Sequence, residues 1–128
     1  MKLLIDSHVL KWWRDEPNKL SQNAFTAISD PRNDVFLSVA TIWELQIKIS
    51  LNKFAITNGL ENAVKDEQMK NGFQILPIQL SHALFIENLP LHHKAPFDRL
   101  LITQAIVENM TLISADSNFD NYQVNLLG

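Results

Sequence analysis

The chain has 128 residues, of which 46% are hydrophobic and 20% charged, and its formal net charge is −3. This composition predicts one folded domain over residues 1–128 and excludes intrinsic disorder and low-complexity structure. The absence of cysteine excludes disulfide frameworks, thiolate zinc sites and cysteine nucleophiles. An acidic chain is not typical of a nucleic-acid-binding protein. Such binding would require a local basic patch, or carboxylates neutralised by a metal ion.

The sequence also excludes a membrane span and two kinds of phosphate site. No apolar stretch approaches the roughly 20 residues of a membrane-spanning helix, and Asp6 comes too early for a signal peptide. We therefore expect a cytoplasmic protein. The three glycines, Gly59, Gly72 and Gly128, are far apart. Dinucleotide fingerprints and P-loops need closely spaced glycines, so neither is present.

Short apolar segments alternate along the chain with longer helical patterns. Continuous apolar segments are typical of strands buried on both faces of a parallel sheet. They lie at residues 3–5, 35–37, 75–76, 112–113 and, last, within 124–127. The predicted helices are 9–14, 22–29, 40–51, 60–71, 82–87 and 99–109. This order predicts an α/β fold with three layers, α/β/α, around a mostly parallel sheet.

Four acidic residues are predicted to meet at one edge of that sheet. Asp6 follows the first strand, and Asp116 follows the strand at 112–113. Glu44 lies near the start of the helix after the second strand, and Asp98 opens the helix that leads to the strand at 112–113. Ligands of an open parallel sheet gather outside the carboxyl ends of its strands, which is where these four carboxylates would lie.

Each acid taken singly also has a structural explanation. Asp6 and Asp116 are candidate helix N-caps, and Asp98 near a helix start suits the helix dipole. Thr41 to Glu44 matches a capping box, and Glu44 is spaced to pair with Lys48. Ser117 to Asp120 is a second capping-box match.

The four acids together point to metal chemistry. Four carboxylates at one edge would repel each other unless a cation lay among them. Oxygen ligands without cysteine suit Mg²⁺ or Mn²⁺. Such a site can polarise a phosphate and activate water. The pattern therefore indicates metal-dependent phosphoester chemistry without naming a substrate.

Several segments resemble VapC-type toxins of the PIN-domain family, in order and over essentially the whole chain. They are LIDSHVLKWW at 4–13, VFLS at 35–38, IWEL at 42–45, LPLHHKAPFDRLL at 89–101 and TLISAD at 111–116, followed by Phe119. The segment around Pro96, Phe97, Asp98 and Arg99 is the most specific. Ser7 is a departure, because these toxins more often carry threonine there.

The resemblance implies a PIN fold and a Mg²⁺- or Mn²⁺-dependent endoribonuclease. It implies Asp6 and Asp98 as metal ligands, Asp116 as a third ligand or one that acts through a water molecule, and Glu44 as the ligand of a second ion or the group that orients water. The hydroxyls of Ser7 and Ser114 and the guanidinium of Arg99 are then expected to support these ligands. The resemblance further implies a homodimer that is neutralised by a cognate antitoxin.

Basic and aromatic side chains admit two interpretations. A local positive rim for RNA, or an ordinary solvated surface, explains the basic residues equally well; they are Lys11, Arg14, Lys48, Lys53, His92, His93, Lys94 and Arg99. Trp12, Trp13, Trp43 and Phe97 are predicted core residues; the alternative is a groove for a partner helix or a dimer face. The adjacent histidines are weak support for a metal ligand.

Two other function classes remain open. An aspartyl phosphotransferase would use Asp6 as nucleophile, but the dehalogenase-like pattern needs an aspartate two residues later, where His8 stands. A binding module with a PIN fold would be expected to lack some of the four acids, and none is missing. RNA cleavage that depends on a metal discriminates the nuclease from both alternatives.

Overall fold

The computed structural model describes residues 1–89 and 96–114, together with the backbone of residues 125–127. The strands are β1 (Lys2–Ile5), β2 (Asp34–Ser38), β3 (Gln74–Leu76), β4 (Thr111–Ile113) and β5 (Asn125–Leu127). The α-helices are α1 (Ser7–Asp15), α2 (Gln22–Ser29), α3 (Val39–Ser50), α4 (Leu60–Asn71), α5 (Leu80–Phe85) and α6 (Pro96–Val107). Short 3₁₀ turns lie at Pro17–Lys19 and Ile86–Asn88.

The five strands form one parallel sheet in the order β3-β2-β1-β4-β5. Leu3, Leu4 and Ile5 of the central strand β1 are completely buried. Leu3 and Ile5 pack in one apolar cluster and Leu4 in another, because successive side chains of a strand point to opposite faces. The two clusters place helices on both sides of the sheet, and the predicted three-layer α/β/α architecture is confirmed.

The predicted elements match the observed ones closely: the bounds of two helices agree, and the other bounds differ by at most three residues. Helix α3 begins at Val39, because the Ser38 hydroxyl caps it by accepting a hydrogen bond from the Ala40 N–H. The predicted capping box from Thr41 to Glu44 is wrong, because Thr41 is a buried residue inside the helix. Helix α6 begins at Pro96, whose missing N–H costs nothing at the first helical position.

The expectation that Trp43 belongs to the core is also wrong. Its side chain is 56% exposed, and Ile47 and Leu51 on the same stripe are 41% and 57% exposed. Helix α3 instead buries Leu45 completely, with Thr41 beside it. Sequence periodicity identifies an apolar stripe on a helix but does not decide which stripe the sheet covers. Trp13, by contrast, packs against the core cluster as predicted.

A buried polar cluster joins α1 to α4. The Glu67 carboxylate is 5% exposed. It accepts hydrogen bonds from the Arg14 guanidinium at 2.7 Å, the Trp13 indole N–H at 2.7 Å and the Asn71 amide at 2.8 Å.

Helix α4 ends at Gly72, whose φ of 68° lies in the left-handed region that favours glycine. Within the described residues, no helix has the length and apolar composition needed to cross a bilayer.

Candidate metal site at the carboxyl edge of the sheet

The register of the three central strands places three polar residues side by side. Ile5 of β1 pairs with Leu37 of β2 on one side and with Ile113 of β4 on the other. The next residue along each chain segment is Asp6, Ser38 and Ser114 respectively. All three are buried, with exposed fractions of 8%, 0% and 7%. The carboxyl edge of the sheet therefore holds a row of oxygen-bearing side chains centred on Asp6.

Asp6 is held in place by its neighbours on both sides of the strand end. Its Oδ1 accepts a hydrogen bond from the Val9 N–H at 2.9 Å, so the predicted N-cap is confirmed. Burial raises the pKa of the Asp6 carboxyl, while hydrogen bonds from Ser114 and Val9 partly oppose that increase. The Asp98 carboxylate raises the pKa of Asp6 further, which places the two acids within electrostatic reach of each other.

Asp98 and Arg99 lie in the first turn of α6. Arg99 donates a hydrogen bond to the carbonyl of Ile86 at 3.2 Å, which ties the start of α6 to the 3₁₀ turn before it. Phe97, the preceding residue, packs edge-on against Trp43 of α3 with ring centroids 5.0 Å apart. This contact brings the second turn of α3, which carries Glu44, against the first turn of α6, which carries Asp98.

Glu44 lies beside a basic residue of its own helix. The Lys48 Nζ is 3.6 Å from the Glu44 carboxylate, and the Glu44 side chain is 17% exposed. The ion pair predicted from the spacing is confirmed. Glu44 lies on a helix rather than at a strand end, on a different element from Asp6 and Asp98, and within the described residues these three carboxylates do not form a cluster that could hold a metal ion.

Some of the residues considered as metal ligands, helix caps, basic rim residues or parts of the family resemblance lie outside the described residues. These are Asp116, Asp120, Phe119, His92, His93 and Lys94. Ser7 is 7% exposed at the start of α1, directly after Asp6. The described residues therefore bring Asp6, Ser7 and Ser114 together at one edge, with Asp98 in electrostatic reach of Asp6.

The donor chemistry of this edge fits a hard divalent cation. Asp6, Asp98 and Ser114 offer only oxygen atoms, which Mg²⁺ and Mn²⁺ prefer. A buried carboxylate beside a second carboxylate is an unfavourable arrangement that a cation relieves. In the part of the chain that the structure describes, no three His, Cys, Asp or Glu side chains are close enough to hold a metal ion by themselves.

The basic residues near this edge are partly engaged in ion pairs. The Lys11 Nζ lies 2.7 Å from the Asp15 carboxylate. Arg14 is 12% exposed in its side chain and pairs with Glu67, so it fits neither a positive rim nor an ordinary solvated surface. Its guanidinium instead binds the Glu67 carboxylate and so forms part of the contact between α1 and α4. Lys53 remains on the surface.

A cleft of about 260 Å³ opens beside Ser114. It lies between α1, the 3₁₀ turn that follows it, α2 and the end of β4, and its walls include Trp12, Lys19, Leu20 and Ile113. Trp12 is therefore a wall residue of a cleft next to the acids, which agrees with the alternative interpretation of the aromatic residues.

The sequence did not reveal Ser38, Gln104 and His82, which form a buried polar chain behind this edge. The only sequence signal was a serine directly before a helix.

Comparisons with known proteins identify the fold. The chain aligns with several solved structures at low identity. VapBC2 from Rickettsia felis, bound to a DNA fragment from its promoter, has a TM-score of 0.73 at 15% identity, covering 99% of this chain and 98% of that one. FitAcB from Neisseria gonorrhoeae has a TM-score of 0.63 at 20% identity, covering 98% and 96%.

VapBC-5 from Mycobacterium tuberculosis, a member of the VapBC family of toxin-antitoxin systems, has a TM-score of 0.58 at 17% identity, covering 94% of this chain and 89% of that one. A comparison with the curated proteins gives no match. The family model of the PIN domain matches residues 3–125, which is nearly the whole chain. The fold, the row of polar residues at the carboxyl edge and this match lead to one conclusion: the chain belongs to the PIN-domain family.

Proposed function

We propose that this chain is a divalent-metal-dependent endoribonuclease and the toxin of a toxin–antitoxin pair. The observation that carries the proposal is the buried Asp6 carboxylate, whose pKa is raised by burial and by the nearby Asp98. A fold has little reason to keep two acids together at a sheet edge unless a cation compensates them. Membership of the PIN-domain family supports the same chemistry.

In this proposal Asp6 and Asp98 hold a Mg²⁺ or Mn²⁺ ion, with Asp116 as a further ligand and Glu44 as a second-ion ligand or the group that orients water. The bound ion supplies Lewis-acid activation of water and of the phosphate. The chain supplies the orientation. The Val9 N–H and the Ser114 hydroxyl fix the Asp6 carboxylate. Ser7 directly follows Asp6 in the sequence, and Arg99 directly follows Asp98.

The substrate of the proposed reaction is RNA, which the enzyme would meet in the cytoplasm. Water is the nucleophile, so the expected products carry a 5′-phosphate and a 3′-hydroxyl. A 2′,3′-cyclic phosphate would contradict this route, because it forms when the ribose 2′-hydroxyl attacks.

An antitoxin and a second copy of the chain are the proposed protein partners. One solved structure with this fold belongs to the VapBC family of toxin-antitoxin systems, which supports an antitoxin partner. An antitoxin segment that fills the cleft beside Ser114 would block the site. Helices α3 and α5 also carry exposed apolar side chains, which we assign to the contact with the second copy. They are Val39, Trp43, Ile47, Leu80 and Leu84.

The test is cleavage of structured cellular RNA by purified, antitoxin-free protein in Mg²⁺ or Mn²⁺. The Asp98→Asn variant should lose at least about 100-fold in rate, because it removes a ligand charge. Glu61→Gln is the matched control: its carboxylate is exposed on α4, away from the site, and this variant should cut like the wild type. Equal cutting by the wild type and Asp98→Asn would identify a contaminating nuclease. RNA binding without cutting would favour a binding module.

A further inference from the structure

A chain of buried hydrogen bonds runs behind the acidic edge. Its three central members, Ser38, Gln104 and His82, are each completely buried. They come from three different elements: Ser38 ends β2, His82 lies in α5, and Gln104 lies in the middle of α6. Buried polar side chains are costly unless they are fully paired, so the pairing of each one is informative.

Ser38 links the start of α3 to α6. Its hydroxyl oxygen accepts from the Ala40 N–H at 3.0 Å, which leaves the hydroxyl proton for the Gln104 Oε1 at 2.5 Å. The Gln104 amide nitrogen is 3.3 Å from the carbonyl oxygen of Pro77 and 3.4 Å from His82 Nδ1. Gln104 therefore accepts from β2 and donates toward the segment that leads into α5.

His82 completes the chain in a single protonation pattern. Its Nδ1 accepts a hydrogen bond from the Gln79 N–H at 3.1 Å, so the proton of the neutral ring is on Nε2. Nε2 then donates to the Glu108 carboxylate at 2.9 Å. Every donor in the chain meets an acceptor. The chain of contacts runs from Ala40 at the start of α3 to Glu108 just beyond the end of α6.

Two contacts fix how α3 lies against α6. Ser38, before the first turn of α3, meets Gln104 in the middle of α6, and Trp43, further along α3, meets Phe97 at the start of α6. The contact that comes earlier along the chain at α3 comes later along α6, so the two segments run antiparallel. The end marked by the aromatic pair carries Glu44 and Asp98.

We propose that Gln104 is a positioning residue for the acidic edge. Its hydrogen bond to Ser38 fixes the sliding position of α3 along α6, and thereby sets how Glu44 and Asp98 are placed relative to Asp6, the neighbour of Ser38 across the strand register. This inference rests on the metal site proposed above. An apolar side chain of similar size would fill the same volume, but it would not fix the helices by a directional bond.

The test compares Mn²⁺ affinity with stability in Gln104→Met. The dissociation constant is measured from the electron paramagnetic resonance signal of free Mn²⁺, without RNA, and the melting temperature is measured in metal-free buffer. Glu67→Gln is the matched control, since it disturbs a buried polar cluster between α1 and α4. Both variants should melt at lower temperature, but only Gln104→Met should bind Mn²⁺ more weakly, by about tenfold.

Ser38→Ala is the second variant, and it replaces Gln104→Met if the latter does not fold. If Ser38 and Gln104 act as one link, the variant that carries both substitutions should bind Mn²⁺ no more weakly than the single variant with the lower Mn²⁺ affinity. Wild-type affinity in the destabilised Gln104→Met and Ser38→Ala proteins would overturn the inference. A wild-type protein that binds no Mn²⁺ would contradict the proposed metal site, and this inference with it. A wild type that binds Mn²⁺ but cuts no RNA would contradict only the proposed reaction.

Discussion

Asp6 meets a structural and a chemical requirement with one side chain. As an N-cap it stabilises α1 by satisfying the Val9 N–H. As a buried carboxylate near Asp98 it is electrostatically unfavourable in the metal-free protein. Asparagine retains the capping oxygen and removes the charge, so one substitution separates the two requirements.

We predict that Asp6→Asn is more stable than the wild type in metal-free buffer at neutral pH. The folded-state pKa of Asp6 is raised above its unfolded value, so the folded protein binds this proton more tightly. The stabilisation from Asp6 is therefore fully present below the unfolded pKa and is lost as the pH rises through the folded pKa. The wild type should lose stability relative to Asp6→Asn over that range.

The measurement is calorimetric melting of both proteins in EDTA at a series of pH values from acid to neutral. The gap in melting temperature should widen in favour of Asp6→Asn as the pH rises. A gap that stays constant with pH, or one that favours the wild type at neutral pH, would show that the Asp6 charge is not destabilising. Glu61→Gln, which makes the same chemical change at an exposed position, should show no comparable trend.

At the scale of secondary-structure elements, the strands and most helices follow from the local sequence. Continuous apolar segments predicted β1 to β4. The predicted helix bounds 22–29 and 60–71 agree with the structure, because Ser21 caps the start of α2 and Gly72 caps the end of α4. The polar contacts between helices were not predictable. Ser38 and Gln104 are remote in sequence, and neither residue carries a pattern that names its partner.

The α1–α4 contact illustrates the energetic weight of such remote pairs. We predict that Glu67→Ala lowers the free energy of unfolding by about 3 kcal/mol, because it leaves the mostly buried Arg14 guanidinium without its closest partner. Glu61→Ala on the exposed side of the same helix should cost about 0.5 kcal/mol or less. Urea denaturation of both variants measures the difference. Equal losses would mean that the Arg14–Glu67 pair contributes little.

At the scale of the whole molecule, the sheet order explains why Asp6, Ser38 and Ser114 meet at one edge. Because β1 lies between β2 and β4, the residues that follow all three strands are neighbours. The sequence predicted that Asp6 and Asp98 would come together, and the effect of the Asp98 carboxylate, which raises the pKa of Asp6, supports that. Helix α3 was harder to predict, since its apolar stripe stays exposed among the residues that the structure describes. Trp43 was assigned to a core because hydrophobicity alone does not distinguish a core from an interface.

The proposed second copy accounts for that stripe and can be tested directly. We predict that Leu84→Glu converts a dimer into a monomer, because it places a charge among the exposed apolar side chains of α3 and α5, where Leu84 is 62% exposed. Light scattering after size-exclusion chromatography gives the mass. Met69→Glu is the control, since Met69 is 85% exposed on α4, outside this set, and should leave the mass unchanged. A wild-type monomer, or a dimer in both variants, would contradict the assignment.

The central claim is that the carboxyl edge of the sheet binds a divalent cation between Asp6 and Asp98. The most direct measurement is anomalous diffraction from antitoxin-free crystals soaked in Mn²⁺, with data collected at the manganese absorption edge. We predict an anomalous peak in contact with both carboxylates, and its loss in crystals of Asp98→Asn. Fully soaked crystals with no peak at this edge, or with a peak that Asp98→Asn leaves unchanged, would contradict it.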